Sequence, residues 1–299
     1  MPSSTPPLSP PSSPALPVLR TVGDLRDRLA QWRRDGVRIG LIPTMGALHE
    51  GHLTLVRRAL AAGERAVVSI FVNPTQFGPN EDFAAYPRRE AEDVAKLAAA
   101  GGHLVWAPTV EAMYPTGFSS HVAVYGLTDG LCGPFRPGHF QGVATVVAKL
   151  LLQVQPDHAY FGEKDYQQLQ VVRRMVRDLD IPAEIVGVPT VREPDGLALS
   201  SRNAYLSAEE RQAAAQLPQV MRETAAAAAD GQAAFAELLE RAKARLAAAG
   251  FGPIDYVAIC DAEELRPVEN LARPARLFAA ARLGRTRLID NIPIEAPRV

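Results

Sequence analysis

From Thr21 onward the apolar positions of the chain switch repeatedly between a helical and a strand period. Thr21-Val-Gly-Asp24 has the form of a capping box and opens a helix running to about Arg34. Val37 to Ile42 then reads as a strand. After a turn, Leu53 to Ala62 resumes helical spacing, with Gly63 as its stop. Val67-Val-Ser-Ile-Phe-Val72 is a continuous β-rich apolar run, of the kind a strand covered on both faces requires. A helix near Glu90 to Ala100, a short strand at Leu104 to Trp106 and a helix near Gln141 to Leu152 follow. Strand Ala159 to Phe161, helix Asp165 to Asp178 and strand Ala183 to Val188 close the series.

Strand and helix in alternation imply βαβ units, and therefore an α/β, Rossmann-like parallel sheet over residues 19–188. Beyond Pro189 the alternation stops. Ala-rich helices at Ala208 to Ala229 and Ala233 to Ala249 precede strands at Ile254 to Ile259, Leu277 to Arg282 and Thr286 to Asp290, which predicts a smaller α+β domain over 189–299. Residues 1–18 hold seven prolines and five serines, and no charge precedes Arg20. Such a segment buries too little apolar surface to offset its ordering entropy and is expected to be a disordered tail.

Composition narrows the classes. Of 299 residues, 47% are hydrophobic and 22% charged, the balance of a globular protein. Lys plus Arg is 32 and Asp plus Glu is 33, giving a net charge of −1, which argues against a nucleic-acid partner. Cys132 and Cys260 are far apart and have no metal-ligand spacing, so a reducing, cytoplasmic setting is expected. No apolar run reaches the roughly 18 to 20 residues of a membrane span.

Ligands of open parallel sheets bind beyond the carboxyl ends of the strands, so the turns after Ile42, Val72 and Phe161 carry the chemistry. Pro43-Thr-Met-Gly-Ala-Leu-His-Glu-Gly-His52 fills the first of them. His49 and His52 lie three apart, which excludes the His-Glu-x-x-His zinc motif. Gly51 permits close backbone approach to a ligand. The helix beginning there aims free N–H groups at the same point, making an anion site. Two imidazoles at that site suit charge developing on a phosphorus under attack. Asn73, Gln76 and Phe77 leave the next strand. Gly162, the cationic Lys164, the helix-capping Asp165 and Gln168 follow a later one, and Leu199-Ser-Ser-Arg-Asn203 adds two hydroxyls and a guanidinium.

In order and spacing, these blocks resemble the pantothenate synthetase (pantoate–β-alanine ligase) family of His-x-Gly-His nucleotidyltransferase-type enzymes. They are Pro-Thr-Met-Gly-Ala-Leu-His-Glu-Gly-His at 43–52, Ile-Phe-Val-Asn-Pro-Thr-Gln-Phe at 70–77, Phe-Gly-Glu-Lys-Asp-Tyr-Gln-Gln at 161–168 and Asp-Gly-Leu-Ala-Leu-Ser-Ser-Arg-Asn at 195–203, with Leu288-Ile-Asp-Asn-Ile292 as a closing strand. The resemblance implies an ATP-dependent condensation of pantoate with β-alanine through pantoyl adenylate, releasing pyrophosphate and then AMP. It implies a catalytic set of His49, His52, Lys164, Ser200, Ser201 and Arg202, with His49 as proton donor. ATP would lie on Met45, Gly46, His49, Gly51, His52, Gly162, Glu163, Lys164, Asp165, Val191, Leu199, Ser200, Ser201 and Arg202. Gln76 and Gln168, with Met45, would hold pantoate, and Met45 and Phe77 would wall its methyl groups. Gln76 would also meet β-alanine. Mg²⁺ would accompany the ATP phosphates, with Asp93 as one candidate support beside Glu92, Asp82 and Glu81. A homodimer is the family's usual state. Two other readings stay open on the residues: a nucleotidyltransferase with a different, phosphate-bearing acceptor, and a nucleotide-binding regulator without catalysis.

Overall fold

A computed structural model of the chain describes residues 16–79, 81 and 83–295. Most of the expected tail (residues 1–15) and Asp82 lie outside the described residues. In chain order the elements are β1 (Val18–Leu19), α1 (Val22–Arg34), β2 (Ile39–Thr44), α2 (Glu50–Ala61), β3 (Arg65–Ile70), α3 (Glu90–Ala99), β4 (Leu104–Trp106), α4 (Val110–Met113), α5 (His139–Val154), β5 (His158–Gly162), α6 (Tyr166–Asp178) and β6 (Glu184–Val188). Then come α7 (Ala208–Ala214), α8 (Gln216–Ala229), α9 (Phe235–Ala248), β7 (Ile254–Asp261), β8 (Ala275–Leu283) and β9 (Thr286–Ile294).

β1 to β6 form one parallel sheet in the order β1-β4-β3-β2-β5-β6, and β7-β8-β9 form an antiparallel sheet. The α/β reading of the first part and the smaller α+β unit after it both hold. Two expectations need correction. The tail expected to reach residue 18 ends earlier: the Pro17 carbonyl accepts from Val105 N–H at 2.8 Å, and Val18–Leu19 add an edge strand to β4. Two residues carry too little periodicity to be read as a strand, and only the partner reveals them. The single helix expected over 208–229 is broken at Ala215. Pro218 cannot donate to the Ala214 carbonyl, so the helix restarts with proline in its first turn.

One apolar cluster under α1, α5 and α6 and a second under α2 and α3 cover the two faces of the parallel sheet, as its largely apolar strands demand. α8 and α9 pack on the antiparallel sheet around a third cluster. The site follows from strand order. β2 pairs with β3 over six residues, but with β5 only at Gly40↔His158 and Leu41↔Ala159. The strands before β5 are added toward one edge of the sheet and those from β5 onward toward the other, and beyond Leu41 β2 and β5 no longer pair. Pro43, which has no N–H to donate and would be out of place in a fully paired central strand, sits just past the last β2–β5 pair.

Candidate active site

A cavity of about 240 Å³ opens at that boundary, between Pro43 and Thr44 on one side and Phe161 and Gly162 on the other. Met45, His49, Gly51, His52, Gln76, Phe77, Gly162, Lys164, Asp165, Gln168, Val191, Leu199, Ser200, Ser201 and Arg202 all line it. It adjoins a second cavity of about 660 Å³ beside β9, and Arg136, Lys164, Asp165, Ser200 and Arg202 border both. These residues come from five separate stretches of chain and meet around two adjoining cavities with a cationic waist.

His49 is the N-cap of α2. Its Nδ1 accepts the Gly51 N–H at 3.1 Å, and the His52 Nδ1 accepts the His49 N–H at 3.3 Å, a capping box built from two imidazoles. The rings lie 4.1 Å apart. With both Nδ1 atoms occupied as acceptors, each neutral ring carries its proton on Nε2. Burial, reinforced by the Lys164 charge, pushes His49 down to about 4; burial and the neighbouring His49 push His52 down to about 3. Both are therefore neutral at pH 7. An imidazole in that state offers a hydrogen bond from Nε2–H to a ligand in the cavity. The expected anion site of free backbone amides is revised. The Gly51 N–H goes to the His49 ring and the His52 N–H to the His49 carbonyl, so the helix end is relayed into the cavity through imidazole. Gly51 serves that ring: a Cβ there would stand 2.9 Å from His49 Nδ1.

The loop carrying His49 hangs from α3. Asp93, buried, accepts the Ala47 and Leu48 N–H groups at 2.8 Å each, and Lys96 one turn later donates to the Leu48 carbonyl at 2.8 Å. This holds Ala47 in the left-handed region (φ 51°), unusual for a residue with a Cβ. Both Asp93 oxygens are engaged by backbone, and Asp93 does not reach the cavity, so it shapes the loop and is withdrawn as a metal support. Glu92 lies at the surface 3.6 Å from Arg89, and Glu81 makes a two-pronged pair with Arg136 at 2.6 and 2.7 Å. Among the described residues no three His, Cys, Asp or Glu side chains group as a metal cage. Gly46 also lies off the cavity, its N–H turned to Thr44 Oγ1 at 3.2 Å.

Gln76 is set by a neighbour. Asn73, buried, donates to Gln76 Oε1 at 3.0 Å and to the Gly142 carbonyl at 3.1 Å, while its own Oδ1 accepts from Tyr114 at 2.8 Å. With Oε1 engaged, the Gln76 amino group donates one N–H to Met45 Sδ at 3.1 Å and has a second N–H for the cavity. Gly142 of α5 allows this approach, because a Cβ there would fall 2.3 Å from the Thr75 carbonyl. His139 Nδ1 lies 2.8 Å from the Gln76 carbonyl and its Nε2 2.9 Å from Arg136, so Nδ1–H donates and Nε2 accepts. Burial and the Arg136 charge push His139 down to about 4. Glu81 shows the same field in reverse: burial raises its carboxyl, but the Arg136 hydrogen bonds and charge outweigh that and hold it below the usual range.

Lys164 follows β5 in a single 3-10 turn, Glu163–Asp165, with Nζ 3.8 Å from the Asp165 carboxylate. Asp165 occupies the N-cap position of α6 but makes no capping bond; its side chain lines the cavity instead. Glu163 does not line it. Its carboxylate turns to Arg276, 3.5 Å away, which removes it from the ATP set. The third arm descends from the paired segments around Val191 and Leu199, where the Leu199 N–H meets the Val191 carbonyl at 3.0 Å. There Ser200 Oγ caps the short Ser201–Tyr205 turn. Thr190 lines the same wall, and its Oγ1 is buried with no hydrogen-bond partner.

Asn73, Arg136, His139 and Thr190 complete the site; of these the sequence pattern points only to Asn73. Arg136 and His139 lie in a stretch with no strand-turn-helix signature. Asn73 is visible in its block, but its hold on Gln76 depends on α5.

The family described as Pantoate-beta-alanine ligase matches residues 17–293. Pantothenate synthetase of Rhizorhabdus wittichii is 59% identical over 278 residues, covering 93% of this chain and 98% of that protein. The Paramagnetospirillum magneticum enzyme of the same name is 57% identical over 283 residues, 95% of this chain and 99% of its own. The crystal structure of pantothenate synthetase from Thermus thermophilus superposes with a TM-score of 0.88 at 51% identity, covering 94% of this chain and all of that one. Pantoate-beta-alanine ligase from Francisella tularensis, complexed with beta-gamma ATP and beta-alanine, superposes with a TM-score of 0.80 at 33% identity, over 94% of this chain and 99% of its own.

Proposed function

The chain belongs to the pantoate-beta-alanine ligase family, and on that footing we propose that it joins pantoate to β-alanine at the expense of ATP through a pantoyl-adenylate intermediate. The observation that carries this reading is the cavity in which three neutral imidazoles, a lysine and two arginines share the lining with two glutamine amides. In the first step the pantoate carboxylate attacks the α-phosphorus of ATP, and pyrophosphate leaves. In the second the β-alanine amine attacks the acyl carbon, forming the amide and releasing AMP and the amine's proton. Both nucleophiles come from substrates, so the protein's work is positioning and charge stabilisation.

Each group has a part suited to its state. The Nε2–H donors of His49 and His52 address phosphate oxygens where negative charge grows. Lys164, Arg202 and Arg136 lie where the departing pyrophosphate needs cations, with Ser200 and Ser201 beside them. Met45, Gly51, Gly162, Val191 and Leu199 frame the nucleoside. The amino group of Gln76, with Gln168, orients the pantoate carboxylate and hydroxyls without a tight ion pair that would blunt the attack. Gln76 also meets β-alanine in this reading, with Arg136 lining the same cavity. Mg²⁺ enters as part of the MgATP substrate, where the phosphates supply most of its ligands. Of the described carboxylates around the two cavities, Glu81 is taken by Arg136, Asp290 by Arg192 and Glu210 by the Ser207 N–H, which leaves Asp165 beside Lys164, a donor set that fits an ion carried on phosphate better than a resident one. A homodimer belongs to this reading, and sedimentation of the purified chain checks it.

The test is release of pyrophosphate and AMP from MgATP with pantoate alone, β-alanine alone and both. Sustained AMP release only with both, with a product of pantothenate mass, is expected. Pyrophosphate without AMP in the presence of both substrates identifies a nucleotidyltransferase with another acceptor.

A further inference from the structure

We propose that the adjacent β9 residues Asp290 and Asn291 are positioning residues that set two arms of the active site, Lys164 and the Ser200–Arg202 loop, from the antiparallel sheet. The inference rests on the adenylate-forming reading above. Asn291, buried, donates from Nδ2 to two consecutive carbonyls, Glu163 at 2.8 Å and Lys164 at 2.9 Å. Its orientation is fixed: Oδ1 accepts from Arg276 Nε at 2.9 Å, which leaves only the amino end for the carbonyls. Arg276 is itself held over the Tyr166 ring, 4.0 Å from its centroid, and stands 3.5 Å from Glu163. The 3-10 turn that presents Lys164 is thus gripped on its backbone and on its Glu163 side chain from the second sheet. This also explains why Glu163 leaves the cavity.

Asp290 does the same for the other arm. Its buried carboxylate forms a two-pronged pair with Arg192 at 2.6 and 2.9 Å. Arg192 also donates to the Gly196 carbonyl at 3.0 Å, and the bridge between Arg192 and Ala198 closes the segment whose next residues are Leu199 to Arg202. Planar, two-pronged pairing fixes direction as well as distance, so a shift of β9 moves this segment with it. Asp290 borders the larger cavity with its carboxylate paired to Arg192, whereas neither Asn291 nor Arg192 lines either cavity. Their influence on chemistry runs through Lys164 and Arg202.

The experiment is pantoate-dependent ATP–pyrophosphate exchange in Asn291→Asp, Lys164→Ala and the double variant. Asn291→Asp keeps the acceptor for Arg276 but turns an oxygen toward the two carbonyls. We expect it to lower the exchange rate at least tenfold while the pantoate KM changes less than twofold. In the Lys164→Ala background the same substitution is expected to add less than a twofold loss, because the group it positions is gone. Equal fold-losses in both backgrounds, or an unchanged rate in the single variant, overturn the proposal. Asp290→Asn against Arg202→Ala gives a second cycle with the same two outcomes. If Asn291→Asp does not fold by its melting curve, Asn291→Ser takes its place. Should the unmodified protein show no pantoate-dependent exchange, the adenylation reading fails. The proposal is then judged by ATP affinity in calorimetry, where Asn291→Ser must weaken binding severalfold in the intact but not in the Lys164→Ala background.

Discussion

The His49–His52 loop and the Lys164 and Ser200–Arg202 arms face the same cavity but are held by different means. The histidine loop is secured within the parallel sheet's own layer, by Asp93 and Lys96 one turn apart on α3 and by a cap in which the two rings serve each other. The other two arms borrow their hold from β9, more than a hundred residues after Lys164 and about ninety after Ser200. A loop held locally keeps its shape wherever the parallel sheet folds. Arms held from a second sheet are in place only when the two sheets are docked. One half of the phosphate site is therefore intrinsic to the first unit, and the other half depends on assembly.

Several substitutions break or sharpen this contrast. The largest effect is expected from His49→Ala and Lys164→Ala, each costing roughly 10²- to 10³-fold in kcat, about 3 to 4 kcal/mol, as for loss of a transition-state donor. The melting temperature should hardly change in Lys164→Ala, whereas His49→Ala also removes the cap of α2 and should cost about 1 kcal/mol of stability. Normal turnover in either purified variant removes that residue from the mechanism. Gln76→Ala should raise the pantoate KM by about tenfold or more, one lost charge-assisted hydrogen bond, while the ATP KM stays near its original value. An equal rise in both would place Gln76 in the nucleotide subsite.

Asp93→Asn tests the local hold. It leaves one backbone amide facing an amino group, so about 2 kcal/mol of stability should be lost in urea unfolding and kcat should fall about tenfold. Added Mg²⁺ is not expected to restore turnover; restoration would return Asp93 to the metal. The pH dependence follows from the imidazoles. His49, His52 and His139 titrate near 4, 3 and 4 in the fold, against 6.5 for an ordinary histidine. Between those values the unfolded chain binds more protons, so stability is full above about pH 6.5 and is lost as pH falls toward 4. Melting curves from pH 7.5 to 4.5 should show that decline, while kcat/KM, which reports the free enzyme, shows no imidazole ionisation across pH 6 to 7. A kcat/KM that halves between pH 7 and 6 through a single ionisation of the protein would mean that one imidazole titrates normally. The smallest effect is expected from Thr190→Val, which leaves the free protein as stable as before because the hydroxyl has no partner to lose. If that hydroxyl meets the nucleotide, the ATP KM should rise severalfold; an unchanged KM would leave it a mere spacer.

Much of this protein follows from its sequence alone. The period changes fix the strand–helix alternation and hence a parallel sheet. The rule that ligands sit beyond strand ends then locates His49, His52, Gln76 and Lys164, because these residues stand within a few positions of elements with strong local signals. What sequence could not decide was how each group is held and in what state. Asp93 looks like any helix-surface carboxylate until its helix packs under the loop, and Glu163 sits in the right block yet turns outward to Arg276. Arg136, His139 and the Asp290–Asn291 pair act across distances that no local pattern spans. Protonation likewise depends on burial and on charges brought close by folding. Sequence periodicity records which face of each element is apolar; the depth of the cavity, the pairing of buried polar groups and the neutral imidazoles exist only once those faces have packed.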